Sequence, residues 1–112
     1  MDRQHLDAYR ILLNNRLVEI AAADRSTAAA RAPVELDQQS VGRLSRMDAI
    51  QHQSMAKAAK TRRQSDMRRI QAALKRIEDG EFGYCTQCGD EIEKPRLDAD
   101  PSIFWCISCM RS

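Results

Sequence analysis

The chain has 112 residues, 30% of them charged and only 4% aromatic, with a formal net charge of +2. That is one small domain, or a small module with an extension, and it lacks the material for a bulky globular core. No apolar run approaches the roughly 18–20 residues that cross a bilayer, and the polar start Met1-Asp2-Arg3-Gln4-His5 does not read as a signal peptide, so a cytoplasmic protein is expected, with no membrane partner.

From Gln4 to about Ala30 the pattern is helical. Leu6, Tyr9, Leu13, Leu17 and Ile20 recur at steps of three and four and share one stripe. Asp2 is the expected N-cap, because its carboxylate can accept from the first free amides. The alanine runs at 21–23 and 28–30 favour helix and offer little to pack; Asp24-Arg25-Ser26-Thr27 between them is a candidate interruption. Pro33 biases the residue before it out of the helical region. With Gly42, it makes 31–45 the expected turn of a hairpin, and helix resumes between Leu36 and Ser45.

The second helix is the longest element and is expected to run to Asp79, with Gly80 as its left-handed terminator. Its seam is Ala49, His52, Ala56, Ala59, Arg63, Met67, Ile70, Leu74 and Ile77, close to a heptad repeat. In antiparallel register Leu6 faces Ile77, Leu13 faces Ile70 and Ile20 faces Arg63. The large apolar pairs therefore lie at one end of the hairpin. Lys57, Lys60, Arg62, Arg68, Arg69, Lys75 and Arg76 form an outer basic face, read either as a solvated surface or as a contact for an acidic groove or a phosphate backbone. Leu44, Met47 and Ile50 also point away from the seam, either covering residues 26–36 or meeting a partner. His5 and His52 lack metal-ligand spacing.

The last quarter carries the chemistry. All four cysteines fall there as two Cys-x-x-Cys pairs, Cys85/Cys88 and Cys106/Cys109, with 17 residues between them. Two close pairs can bring four thiolates onto one ion, the tetrahedral arrangement of a structural Zn²⁺. Soft sulfur also suits iron, so spacing alone leaves the element open. Gly83 and Gly89 permit the turns that aim backbone amides at the sulfurs. Disulfides are disfavoured in a reducing cytosol, and a redox Cys-x-x-Cys wants a βαβ scaffold that the chain lacks. One Zn²⁺ on four thiolates adds about −2 and leaves the protein near neutral, which makes direct DNA binding unexpected. Ser102–Trp105 reads as a short strand leading into Cys106. Only three residues follow Cys109, so the DNA-reading finger with a recognition helix after its ligands is not expected.

The run Ile77-Glu78-Asp79-Gly80-Glu81-Phe82-Gly83-Tyr84-Cys85-Thr86-Gln87-Cys88-Gly89, with Ile92, Arg96-Leu97, Ala99, Pro101 and the second cysteine pair, resembles the C4 zinc finger of the DksA/TraR family, bacterial regulators that bind RNA polymerase. The resemblance implies a mainly α protein. An antiparallel two-helix coiled-coil hairpin (residues 1–80) is followed by a small four-cysteine zinc finger (81–112). It also implies a non-enzymatic factor whose hairpin enters the polymerase secondary channel, with acidic residues at its tip, often acting with the nucleotide ppGpp. The family's Asp-x-x-Asp-x-Ala tip is absent; Glu35, Asp37 and Asp48 are the nearest acids. Two other functions stay open: a zinc-stabilised adaptor docking through Leu44, Met47 and Ile50, and a nucleic-acid-binding module using basic residues such as Arg62 and Arg69. No nucleophile–base set stands outside the cysteines, and a site with four protein ligands has no open position for water.

Overall fold

The computed structural model describes residues 1–31 and 43–111. It is a slender body of 63 × 30 × 20 Å. Helix α1 (Arg3–Ser26) and the short α2 (Ala28–Arg31) run antiparallel to α3 (Arg43–Asp79), and the finger carries two further short helices, α4 (Lys94–Ala99) and α5 (Ile107–Met110).

Asp2 caps α1 as its position predicts: its carboxylate accepts from the His5 amide at 2.9 Å. The interruption expected at 24–27 is real. Thr27 ends α1 with φ −108° and ψ 6°, and its hydroxyl turns back to donate to the Ala23 carbonyl at 2.7 Å. Helix α3 ends at Asp79, and Gly80 takes φ +75°. The Gly80 amide reaches the Ile77 carbonyl and the Glu81 amide reaches that of Arg76, the paired bonds of a Schellman terminator.

The apolar stripe of α1 packs as the spacing predicts. Tyr9, Leu13 and Ile20 are buried, while Leu6 and Leu17 are partly so. On α3 the buried residues are Ile70, Ala73 and Ile77, with Met67 and Leu74 at the margin. Ala73 is fully covered although the heptad reading passes over it for Leu74. His52 and Ala49, both assigned to the seam, are exposed. They lie on α3 past the level that Arg31 reaches.

At mid-length the contact between the helices becomes ionic. Arg63 Nε donates to Asp24 at 2.6 Å and Lys60 approaches the same carboxylate at 3.3 Å. Lys60 thus faces α1 and leaves the outer basic face. Arg69 and Arg76 leave it too. Arg69 bonds Asp66 and lies 3.9 Å from Asp100, and the half-buried Arg76 donates to the Ile103 carbonyl at 3.4 Å. Lys57, Arg62 and Arg68 remain exposed.

The rod's core continues without a break into the finger. Phe82, Ile92 and Leu97 join the same cluster as Tyr9, Leu13 and Ile77. Tyr9 and Phe82 have ring centroids 5.3 Å apart, and the Tyr9 hydroxyl donates to Asp98 on α4. The strand expected at Ser102–Trp105 does not form: among the described residues the only β pairing is an isolated bridge between Tyr84 and Glu91. Asp100 instead folds the segment into a turn by accepting from the Ser102 amide and hydroxyl, and the Phe104 carbonyl goes to the Thr86 amide and hydroxyl. Apolar content alone cannot separate a strand from a turn that is satisfied this way.

Because, among the described residues, buried apolar side chains stop at Ile20 and Ile70, the distal rod should open more readily. Amide hydrogen exchange is expected to be slowest around Ile70–Ile77 and fastest toward Ala49. Uniform protection along α3 would contradict this.

Candidate metal centre

The first cysteine pair sits on a turn built by backbone bonds. Cys85 donates its amide to the Asp90 carbonyl at 2.7 Å, and the Gly89 amide closes the loop on the Cys85 carbonyl at 2.9 Å. Gly89 holds φ +82°, a conformation that costs a residue with a Cβ and that glycine adopts freely. The second pair lies on one helical turn: Cys106 caps α5 and Cys109 is within it. Two unrelated local structures thereby bring their sulfurs to one place.

The four sulfurs lie within 4.8 Å of one another, and Cys88 and Cys106 are 3.7 Å apart. Four thiolates at the usual Zn–S length of about 2.3 Å stand roughly 3.8 Å apart, so the cluster has the dimensions of a tetrahedral zinc site. All four cysteines are free.

The chemistry of the donors points the same way. Cys85 is buried, which alone would raise its pKa, but amides of Cys106, Cys88 and Gln87 bring it down to about 6. Its sulfur accepts from the Gln87 amide at 3.4 Å. Burial and the three neighbouring sulfurs push Cys109 up. Four thiols this close cannot all ionise without a cation among them, and a divalent ion removes that conflict. The finger is a site for one structural Zn²⁺, held by Cys85, Cys88, Cys106 and Cys109. With four protein ligands it has no open position.

The remaining residues marked in the sequence do not gather here. Asp48, Met47 and Ile50 lie exposed on the first turns of α3, and Met47 and Ile50 retain 58% and 48% of their accessible surface. Arg62 is exposed on α3, and Arg69 turns toward Asp66 and Asp100. Glu35 and Asp37 lie outside the described residues, as does most of the expected turn. Leu44 falls at the start of α3.

Sequence reasoning missed the joint between rod and finger. Tyr9 is the one aromatic residue outside the finger, and that isolation was the available signal. Burial, and then the hydrogen bond to the Asp98 carboxylate, push the Tyr9 phenol up to about 12. The Tyr9 hydroxyl and then Lys94 hold Asp98 below the usual carboxylate range, with Lys94 Nζ 3.0 Å from it. Arg96 fastens the other side, donating to the Trp105 carbonyl at 3.2 Å.

Three comparisons with known proteins bear on this architecture. Residues 80–111 match the prokaryotic dksA/traR C4-type zinc finger. Over 43 residues, 38% of the chain, the sequence is 46% identical to the RNA polymerase-binding transcription factor DksA of Haemophilus influenzae and to that of Escherichia coli, and equally to an uncharacterized protein of Aquifex aeolicus. The matched stretch spans less than a third of those relatives' length: 30%, 28% and 30%. The whole fold is similar to the structure of transcription factor DksA2 from Pseudomonas aeruginosa, with a TM-score of 0.80 and 23% identity over 99% of this chain and 84% of that one. The sequence likeness is confined to the finger and its approach, and the structural likeness shows a shared fold.

Protein purified under reducing conditions should carry about one equivalent of zinc, and a chelator should unfold the finger as the metal leaves. Tyr9→Phe should keep the zinc and lower stability by about 1 kcal/mol, read as a fall in Tm. The pH window follows from the two shifts. Tyr9 has a raised folded pKa, so its contribution is complete below about pH 10 and is lost as pH climbs through about 12. Asp98 has a depressed one, so its contribution is complete above its ordinary value near 3.8 and is lost as pH falls below that. The alkaline loss should be missing from Tyr9→Phe in a pH series of thermal melts.

Proposed function

We propose that this chain, which carries a finger of the DksA/TraR kind, is a transcription regulator that binds RNA polymerase by placing its helical hairpin in the secondary channel. The zinc finger serves as the structural base. The observation that carries the reading is the shape: a helix of 37 residues, about 55 Å long, projects from the finger with one antiparallel partner. A rod of that width suits insertion into a pore. The similarity of the DksA2 structure over nearly the whole chain supports it, and relatives sharing the finger are named for binding RNA polymerase.

On this reading residues 1–80 form the inserting unit and 81–112 the base. The chain acts by binding, in the cytoplasm, and performs no chemistry of its own. Asp48 is exposed on the first turns of α3, while the other candidate acids, Asp37 and Glu35, lie outside the described residues. No residue of the chain is assigned to ppGpp. A second reading, an adaptor docking on another protein, draws on the exposed Met47, Ile50 and Met55 of the same helix.

Polymerase core should retain the zinc-loaded protein, and another secondary-channel factor should displace it. In transcription assays, Asp48→Asn and Asp37→Asn should weaken the effect on initiation while leaving binding within about threefold of wild type, since exposed charges contribute little to affinity. Under the adaptor reading polymerase core does not retain the protein, and Met47→Ser with Ile50→Ser instead abolishes binding to the other protein partner. Absence of both retention and competition would overturn the proposal.

A further inference from the structure

Charge is distributed unevenly along the rod. Residues 1–77 hold fifteen Lys and Arg against eight Asp and Glu, whereas 78–112 hold three against eight. The near-neutral total conceals a strongly cationic shaft and an anionic finger. Fields of this kind draw anions to one end of a molecule and exclude them from the other.

The surplus converges on the break between α1 and α2. Arg63 donates to the Asp24 carboxylate and, at 3.3 Å, to the Thr27 hydroxyl; Lys60 reaches the other oxygen of Asp24. Arg31 folds back across a turn and donates to the same Thr27 hydroxyl at 2.8 Å and to the Asp24 carbonyl at 3.1 Å. Two guanidinium groups thus share one hydroxyl oxygen, with an ammonium beside them. Among the described residues no carboxylate pairs with Arg31. Among the described residues, three cations therefore gather around a single carboxylate. Arg63 and Asp24 each keep only 18% of their side-chain surface and Lys60 33%, so water screens the excess less than on an open face.

We propose that this mid-rod cluster, Arg31, Lys60 and Arg63 around Thr27, is a binding site for a phosphate group. Among the described residues the unmatched charge of this cluster is two, which a phosphate dianion cancels. Planar guanidinium forks suit its oxygens, and the ammonium supplies a third donor. Asp24 is the internal competitor, holding the cations in place and occupying part of their capacity. The phosphate comes either from a small phosphate ester or from a nucleic-acid backbone; both present the same group.

The test is a titration of the zinc-loaded protein with inorganic phosphate at low ionic strength, followed by amide chemical shifts, with chloride at matched ionic strength as control. Saturable shifts confined to Asp24–Arg31 and Lys60–Arg63 are expected. Arg31→Gln, which leaves the Asp24–Arg63 pair standing, should weaken binding about tenfold. Asp24→Asn should tighten it, and Lys75→Gln, a residue paired with Asp79 beside the finger, should change nothing. A phosphomonoester bound as well as duplex DNA assigns the small-anion source; much tighter, steeply salt-dependent binding of the duplex assigns the backbone. Shifts that do not saturate, that chloride reproduces, or that persist unchanged in Arg31→Gln would show screening only and overturn the site.

Discussion

Bringing four sulfurs together around one divalent ion is the constraint from which the rest follows. The finger contributes Phe82, Ile92 and Leu97 to the core and has no regular sheet among its described residues, too little apolar surface to order some thirty residues by itself. A metal that closes two separate turns supplies the missing cohesion. Once closed, the finger presents those three side chains as a preformed surface, and α1 and α3 dock on it through Tyr9, Leu13 and Ile77. The rod is thus anchored at the end where its own apolar residues are largest.

Away from that end the character of the packing changes. Leucine, isoleucine and tyrosine give way to a pair of helices held by Arg63, Lys60 and Asp24. Even partly covered ion pairs contribute less than buried hydrocarbon, so the molecule is graded: firm at the base and looser along its length.

Much of this was legible in the sequence, for identifiable reasons. Helix limits were marked by residues with one dominant local role: Asp2 as cap, Gly80 as terminator, the polar run before Thr27 as break. The metal site was legible because thiol spacing determines reach. Other features depended on tertiary partners. Ala73 is fully buried in the core cluster, which a list of large apolar residues does not reveal. Arg69 and Arg76 count as basic surface until the finger folds against them and supplies Asp100 and the Ile103 carbonyl. Ser102–Trp105 has the composition of a strand, but Asp100 satisfies its backbone as a turn. The bond between Tyr9 and Asp98 joins residues 89 positions apart, a pairing that no local pattern encodes.

The terminator at Gly80 has a mechanical side. It turns the chain within two residues, so no flexible tether separates α3 from the metal-bound base, and the shared core braces the junction. Base and shaft therefore move as a lever. A rotation of the base by about 5° would swing the far end of a shaft of roughly 55 Å through about 5 Å, close to a full helical pitch. Small differences in how the base is seated, by metal content or by the surface it rests on, would be read out as displacement at the opposite extremity.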